Sequence, residues 1–141
     1  MIRVQTDDFD PGIELEQLRS RNAGQAGAIV SFTGLVRDMN AGKTVTEMTL
    51  EHYPGMTEKA LANIEQAANE QWGLTATLII HRVGPLAPND NIVFVAAASA
   101  HRVQAFRACE FMIDRLKTEA PFWKKETLPE GTRWVEPDVS V

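Results

Sequence analysis

The chain has 141 residues, 44% hydrophobic and 23% charged, with a formal net charge of −5. That composition suits one globular domain over residues 1–141, long enough to bury a core, and argues against a general nucleic-acid binder, which presents a broad basic face. A single cysteine excludes an intrachain disulfide framework and a CxxC metal or redox site; no apolar run reaches transmembrane length and the N-terminus has no charged-then-apolar leader pattern, so a cytoplasmic protein off the membrane is expected.

Residues 1–4 read as a short strand, 7–10 as a polar turn punctuated by Pro11 and Gly12, and 13–21 as an amphipathic helix carrying Ile13, Leu15 and Leu18. Asn22 and Gly24 end that helix. Residues 26–35 are β-rich and dotted with glycine, as in a buried strand, and 39–43 read as a mobile loop. Residues 44–53 alternate as a strand, with one irregularity read as a bulge. The longest helix spans 56–72, capped by Thr57 and stopped by Gly73. A strand over 74–83, a long turn over 84–91 and an almost wholly apolar central strand over 92–99 follow.

Ser99 is the expected cap of a helix starting near Ala100, with Val103, Phe106, Cys109, Ile113 and Leu116 as its apolar stripe. Arg115 and Lys117 stand in its last turn, where positive charge complements the helix dipole, and Pro121 ends it near Ala120. Over 122–128 a strand places Phe122, Lys124 and Glu126 on one face and Trp123 and Lys125 on the other. A last strand spans 132–136 and a loose tail 137–141. The sum is an α+β protein, about three helices on a mostly antiparallel sheet.

Lys117, ending a helix, and Lys124, early in the next strand, approach one another across a tight turn. Two ammonium groups held close are costly unless an anion sits between them. The stretch carrying them, Lys117-Thr-Glu-Ala-Pro-Phe-Trp-Lys-Lys-Glu126, closely resembles the signature of the large, catalytic subunits of molybdopterin synthase. Phe32-Thr-Gly-Leu-Val-Arg-Asp38, Leu50-Glu-His-Tyr-Pro-Gly-Met56 and Ile80-His-Arg-Val-Gly84 agree with the same family, so the resemblance runs from about residue 26 to residue 136.

The resemblance implies an α/β hammerhead core with an added small β subdomain. It also implies a sulfurtransferase that converts cyclic pyranopterin monophosphate into molybdopterin. Sulfur would come from the C-terminal Gly-Gly thiocarboxylate of a small ubiquitin-like partner, in a heterotetramer built on a homodimer of large subunits. No metal or other cofactor is implied. Lys117 and Lys124 are then the catalytic residues, and Leu35, Val36, Arg37, His101, Arg102, Lys125 and Glu126 join them in binding the pterin phosphate. Each has a plainer reading. Arg37 alone is a surface charge, His101 and Arg102 a tolerated pair at a helix start, Lys117 a dipole-complementing helix end and Lys124 a solvated strand residue. The same groups would also serve a non-catalytic module that grips a phosphorylated ligand. Cys109, on the apolar stripe, reads as a small buried hydrophobe rather than a persulfide carrier. His52 and His81 lack the spacing of a zinc site and read as structural; Trp72, Trp123 and Trp134 read as core or interface residues.

Overall fold

The computed structural model describes residues 1–40, 42–44 and 46–135. Its elements run β1 (Ile2–Gln5), α1 (Pro11–Arg21), β2 (Ala28–Leu35), β3 (Met39–Asn40), β4 (Lys43–Thr44), β5 (Glu47–His52), α2 (Met56–Trp72), β6 (Ala76–Arg82), β7 (Gly84–Leu86), β8 (Asn91–Ser99), α3 (Arg102–Glu119), β9 (Phe122–Leu128) and β10 (Gly131–Val135). They form a four-stranded sheet in the order β1-β6-β8-β2, a second in the order β10-β9-β5-β7, and the β3–β4 hairpin. Among the described pairings β1 with β6 is parallel and the others are antiparallel. The α+β architecture expected from the sequence is therefore present.

β8 is covered on both faces because its alternation serves two clusters. Val93, Val95 and Ala97 meet Leu61, Ile64 and Ala68 of α2 and Ala108, Met112 and Leu116 of α3. Phe94 and Ala96 point the other way, onto Phe9 and onto Leu18 of α1. The helix ends follow local chemistry. Gly73 closes α2 in the left-handed region (φ 58°), its N–H donating to Asn69 O at 2.9 Å. Ala120 ends α3 in an extended conformation ahead of Pro121.

Several expectations are corrected. α1 begins at Pro11 because Asp10 caps it, its carboxylate accepting from the N–H groups of Gly12 at 2.8 Å and Ile13 at 3.2 Å. Thr57 is not the cap of α2: Gly55 is, and Thr57 is fully buried within the first turn, accepting from Tyr53 N–H at 3.2 Å and donating to Pro121 O at 3.4 Å. Gly84–Leu86, expected as turn, pairs with β5. The bulge lies in β2, where the register shifts between Gly34 and Leu35, while the β5–β9 ladder runs without a break. In place of a loop over 39–43 the chain forms the two-residue ladder of β3 and β4.

The stripe on α3 is also rotated from the expected one. Ala105, Ala108, Cys109, Met112, Ile113 and Leu116 are buried, while Val103 and Phe106 are 56% and 61% exposed. Ala108, Cys109, Met112, Ile113 and Leu116 pack in the cluster that holds Val93, Val95 and Ala97 of β8, and at 100° per residue Val103 and Phe106 point away from that face. The expected tail over 137–141 and the end of the last strand at Glu136 lie outside the described residues.

Candidate active site

α3 follows β8 and runs back along it, so its C-terminal turn returns to the end of the sheet where β8 starts. There Lys117 and Lys124, both half-buried, line a cavity of about 40 Å³ with His81 and Phe122, on an apolar floor of Leu50, Ile92 and Leu116. Pro121 makes this possible: it stops the helix one turn after Leu116, and Phe122 N–H donates to Ala120 O at 3.0 Å, reversing the chain into β9. Strand alternation then points Phe122 and Lys124 inward. The two expected catalytic lysines are brought together.

Glu126 continues the inward face. It is 4% exposed, and its Oε1 accepts from Arg133 Nε at 3.0 Å across the β9–β10 ladder. Lys125 takes the opposite, exposed face, its Nζ 5.8 Å from the centre of the Trp134 ring. Within one chain it does not join the lysine cavity.

Arg37 stands at the same end of the sheet. The bulge in β2 turns the chain after Leu35, and the turn before β8 clamps it: Val36 N–H donates to Asp90 O at 2.9 Å, and Asn89 N–H donates to Val36 O at 2.8 Å. Asn89 adopts φ 73° to do so, a conformation that asparagine tolerates better than most residues. Val36 is buried; Leu35 and Arg37 are exposed on an open surface hollow with Asp38, Pro88 and Asn89.

His101 and Arg102 are exposed and lie elsewhere. Ser99 does not cap α3. It is buried at the end of β8, its Oγ accepting from His101 N–H at 3.5 Å, and His101 is the N-cap residue in an extended conformation. Arg102 and Lys117 are fifteen positions apart on one helix, about 22 Å along its axis. One copy of the chain therefore does not bring the histidine–arginine pair to the lysines.

Residues 4–119 match the family model described as MoaE protein. The chain belongs to the MoaE family. The molybdopterin synthase catalytic subunit of Ralstonia nicotianae is 60% identical to it over 139 residues, an alignment covering 99% of this chain and 78% of that protein. The molybdopterin biosynthesis MoaE protein from Burkholderia ambifaria superposes with a TM-score of 0.84 at 54% identity, over 97% of this chain and 89% of that one. The crystal structure of molybdopterin synthase from Staphylococcus aureus gives 0.85 at 38% identity, over 94% and 95%.

In this MoaE chain the residue that sequence reasoning set aside is His81. It lines the lysine cavity rather than only filling core. Its ring is 4% exposed, stacks on Phe122 at 3.7 Å and 15°, and its Nδ1 lies 2.8 Å from Arg82 O. Burial, with the positive charges of Lys117 and Lys124 adding to it, pushes its pKa down to about 3, so the imidazole is neutral and Nδ1 carries the proton donated to the carbonyl. The signal was its place in Ile80-His-Arg-Val-Gly84, but strand periodicity says nothing of which cavity a buried ring borders.

Cys109 is 4% exposed, its Sγ 3.7 Å from Val95 O, and burial raises the thiol to about 11. A thiol so held is a poor nucleophile. Cys109→Ser is expected to keep sulfur-transfer turnover within about threefold of wild type while lowering stability by about 1–3 kcal/mol, the cost of a hydroxyl in an apolar site. A folded but inactive serine variant, or a persulfide on Cys109 during turnover, would overturn this. Among the described residues no group of three or more His, Cys, Asp or Glu side chains is placed to hold a metal, and no helix is long and apolar enough to cross a membrane.

Proposed function

We propose that this chain is the sulfur-transferring subunit of a molybdopterin synthase, acting in the cytoplasm on cyclic pyranopterin monophosphate with sulfur from the C-terminal thiocarboxylate of a small ubiquitin-like subunit. One observation carries the reading. Lys117 and Lys124, from a helix end and a strand start, share one small cavity with an apolar floor and a neutral histidine. Such a cavity attracts an anion, and its dry walls strengthen every charge interaction within it. The lysines position the thiocarboxylate, stabilise negative charge as the sulfur bonds to the pterin and move protons. Arg37, with a planar bidentate donor, suits the substrate phosphate. Sulfur arrives on the partner, which agrees with a buried, unreactive Cys109. The deciding experiment is sulfur incorporation by the purified chain with a thiocarboxylated partner. Dithiolene formation supports the reading, and tight binding of substrate without transfer would leave only a binding module.

The length of α3 supports a second part of the reading: the site is completed by a second copy, whose His101 and Arg102 reach the lysines of the first. Exposed Trp123, Trp134, Val103 and Phe106 provide apolar material for such a dimer. Arg102→Ala and Lys117→Ala subunits, each inactive or nearly so alone, are expected to regain up to about a quarter of wild-type activity on equal mixing, because half of the dimers are then mixed and one of the two sites in each receives both intact residues. No recovery in mixtures shown to exchange subunits would place the whole site within one chain.

A further inference from the structure

The cavity side of β9 is joined to the first sheet by a ring contact. His81 lies on β6, held between β1 and β8 through its pairing with Val4 and Val93. Phe122 opens β9, in the other sheet, where it pairs with His52. No ladder connects the two sheets among the described residues; the turn at Ala120–Pro121 delivers Phe122 to this end of the molecule, and its contact with the first sheet is then made by side chains. Its ring lies nearly parallel to the imidazole at 3.7 Å, whereas the His52 ring is 6.5 Å away and tilted by 30°. Phe122 and Lys124 share a strand face, two residues apart. Whatever seats Phe122 therefore also seats the backbone from which Lys124 reaches the cavity. We propose that His81 is a positioning residue for the lysine pair: its imidazole, stacked on Phe122, sets where Lys124 stands against Lys117.

The chemistry of the histidine fits this task. Its Nδ1–H is committed to Arg82 O at 2.8 Å, which fixes the ring plane and the tautomer. The imidazole is kept uncharged by burial and by the lysines themselves, with His52 adding to the same effect. A charged ring would place a third cation beside two ammonium groups; a neutral one supplies a flat, rigid face and leaves attraction of the anion to the lysines. The proposal rests on the catalytic reading of Lys117 and Lys124.

Two substitutions isolate the ring. His81→Phe and His81→Leu both remove the nitrogens and the bond to Arg82 O, but only phenylalanine can stack on Phe122. The Leu variant is expected to lose about tenfold or more in kcat, since displacements of an ångström in a reacting group are that costly, while the Phe variant stays within about threefold of wild type. KM for the pterin phosphate is expected to change by less than about threefold in both, because Arg37, His101 and Arg102 are untouched. The alkaline limb of the kcat–pH profile should move in the Leu variant and not in the Phe variant, because a changed spacing of the two ammonium groups changes their mutual repulsion. Thermal melts establish that each variant is folded at the assay temperature; if leucine is not tolerated, His81→Met, also non-planar, makes the same comparison. Equal losses in the Phe and Leu variants would overturn the proposal, as would a Leu variant with a wild-type kcat and pH limb, or one with a raised KM and unchanged kcat. Lys124→Ala, assayed alongside, separates the two layers. If it is inactive, any of those results refutes the positioning role alone; if it is active, the catalytic reading itself has failed.

Discussion

Lys117→Ala and Lys124→Ala should each lower sulfur-transfer turnover by at least about a hundredfold, the loss typical of removing a positioned proton-transfer or charge-stabilising group. Both side chains are half-buried at element ends, and the residues that hold their backbones are apolar: Leu116 is 2% exposed beside Lys117, and Leu50, also 2% exposed, pairs with Lys124. Truncation to alanine removes an ammonium group without opening the core, so melting temperatures should stay close to wild type. Removing one of two neighbouring cations also relieves their repulsion. A stable variant with lost kcat is therefore the signature expected here, and loss through unfolding is not. Lys117→Arg and Lys124→Arg keep the charge but replace a compact ammonium with a planar fork, and neither should restore full activity in so small a cavity. Steady-state turnover with the thiocarboxylated partner, alongside thermal melts, checks this. If either alanine variant turns over near the wild-type rate, that lysine has no catalytic part.

Gly27→Ala is expected to be the most damaging single-methyl change, lowering stability by about 2–4 kcal/mol from overpacking together with a weakened hydrogen bond. Its N–H donates to Ser99 O at 2.9 Å, which draws the two backbones together. A Cβ at Gly27 would lie 2.2 Å from Ala100 O and 3.1 Å from Ala100 C. Those are backbone atoms and cannot rotate aside, so the start of β2 must separate from the turn that follows β8. The turn leads directly into His101, the N-cap of α3, so on the proposed role of His101 and Arg102 binding of the phosphorylated substrate should weaken too. For a domain of this size the stability loss corresponds to a melting point lower by roughly 5–15 °C. Gly73→Ala is the contrast: nothing lies within 4 Å of its Cβ, so the cost there comes from the left-handed backbone alone. A Gly27→Ala protein melting within about 2 °C of wild type would mean that the close approach to Ala100 is easily relieved.

Much of the local structure was legible in the sequence because its causes are local. Gly73 and Pro121 end helices through the backbone angles they permit, and α2 and β9 have the expected bounds. The apolar run of β8 announced a strand covered on both faces, since a strand with one face in water would alternate apolar and polar residues. The inward Lys124 and outward Lys125 followed from the two-residue period of a strand. Where local rules misled, a competing long-range contact had won. Thr57 looked like a cap but is buried against Pro121, sixty-four residues away. Val103 and Phe106 looked like core, but α3 turns the face carrying Ala108, Met112 and Leu116 to the sheet, and they do not share it.

The site divides in the same way. Two of the four ordered motifs carry the lysines and Arg37, while the histidine–arginine pair was read from its place at a helix start and from the resemblance, because residue type and spacing are written in the chain. Which of them meet was decided only by the path of α3. That helix carries Lys117 back to the start of β8, where Lys124 and Arg37 also lie, and leaves Arg102 some 22 Å away at its other end. His81 was set aside in the sequence for the same reason that it matters in the structure. Its neighbours Phe122, Lys117 and Lys124 are thirty-six to forty-three residues distant, and no periodicity within β6 records them. A side chain's type and strand face are properties of its own segment; the charge it bears, and the ring it rests on, belong to whatever the fold packs against it.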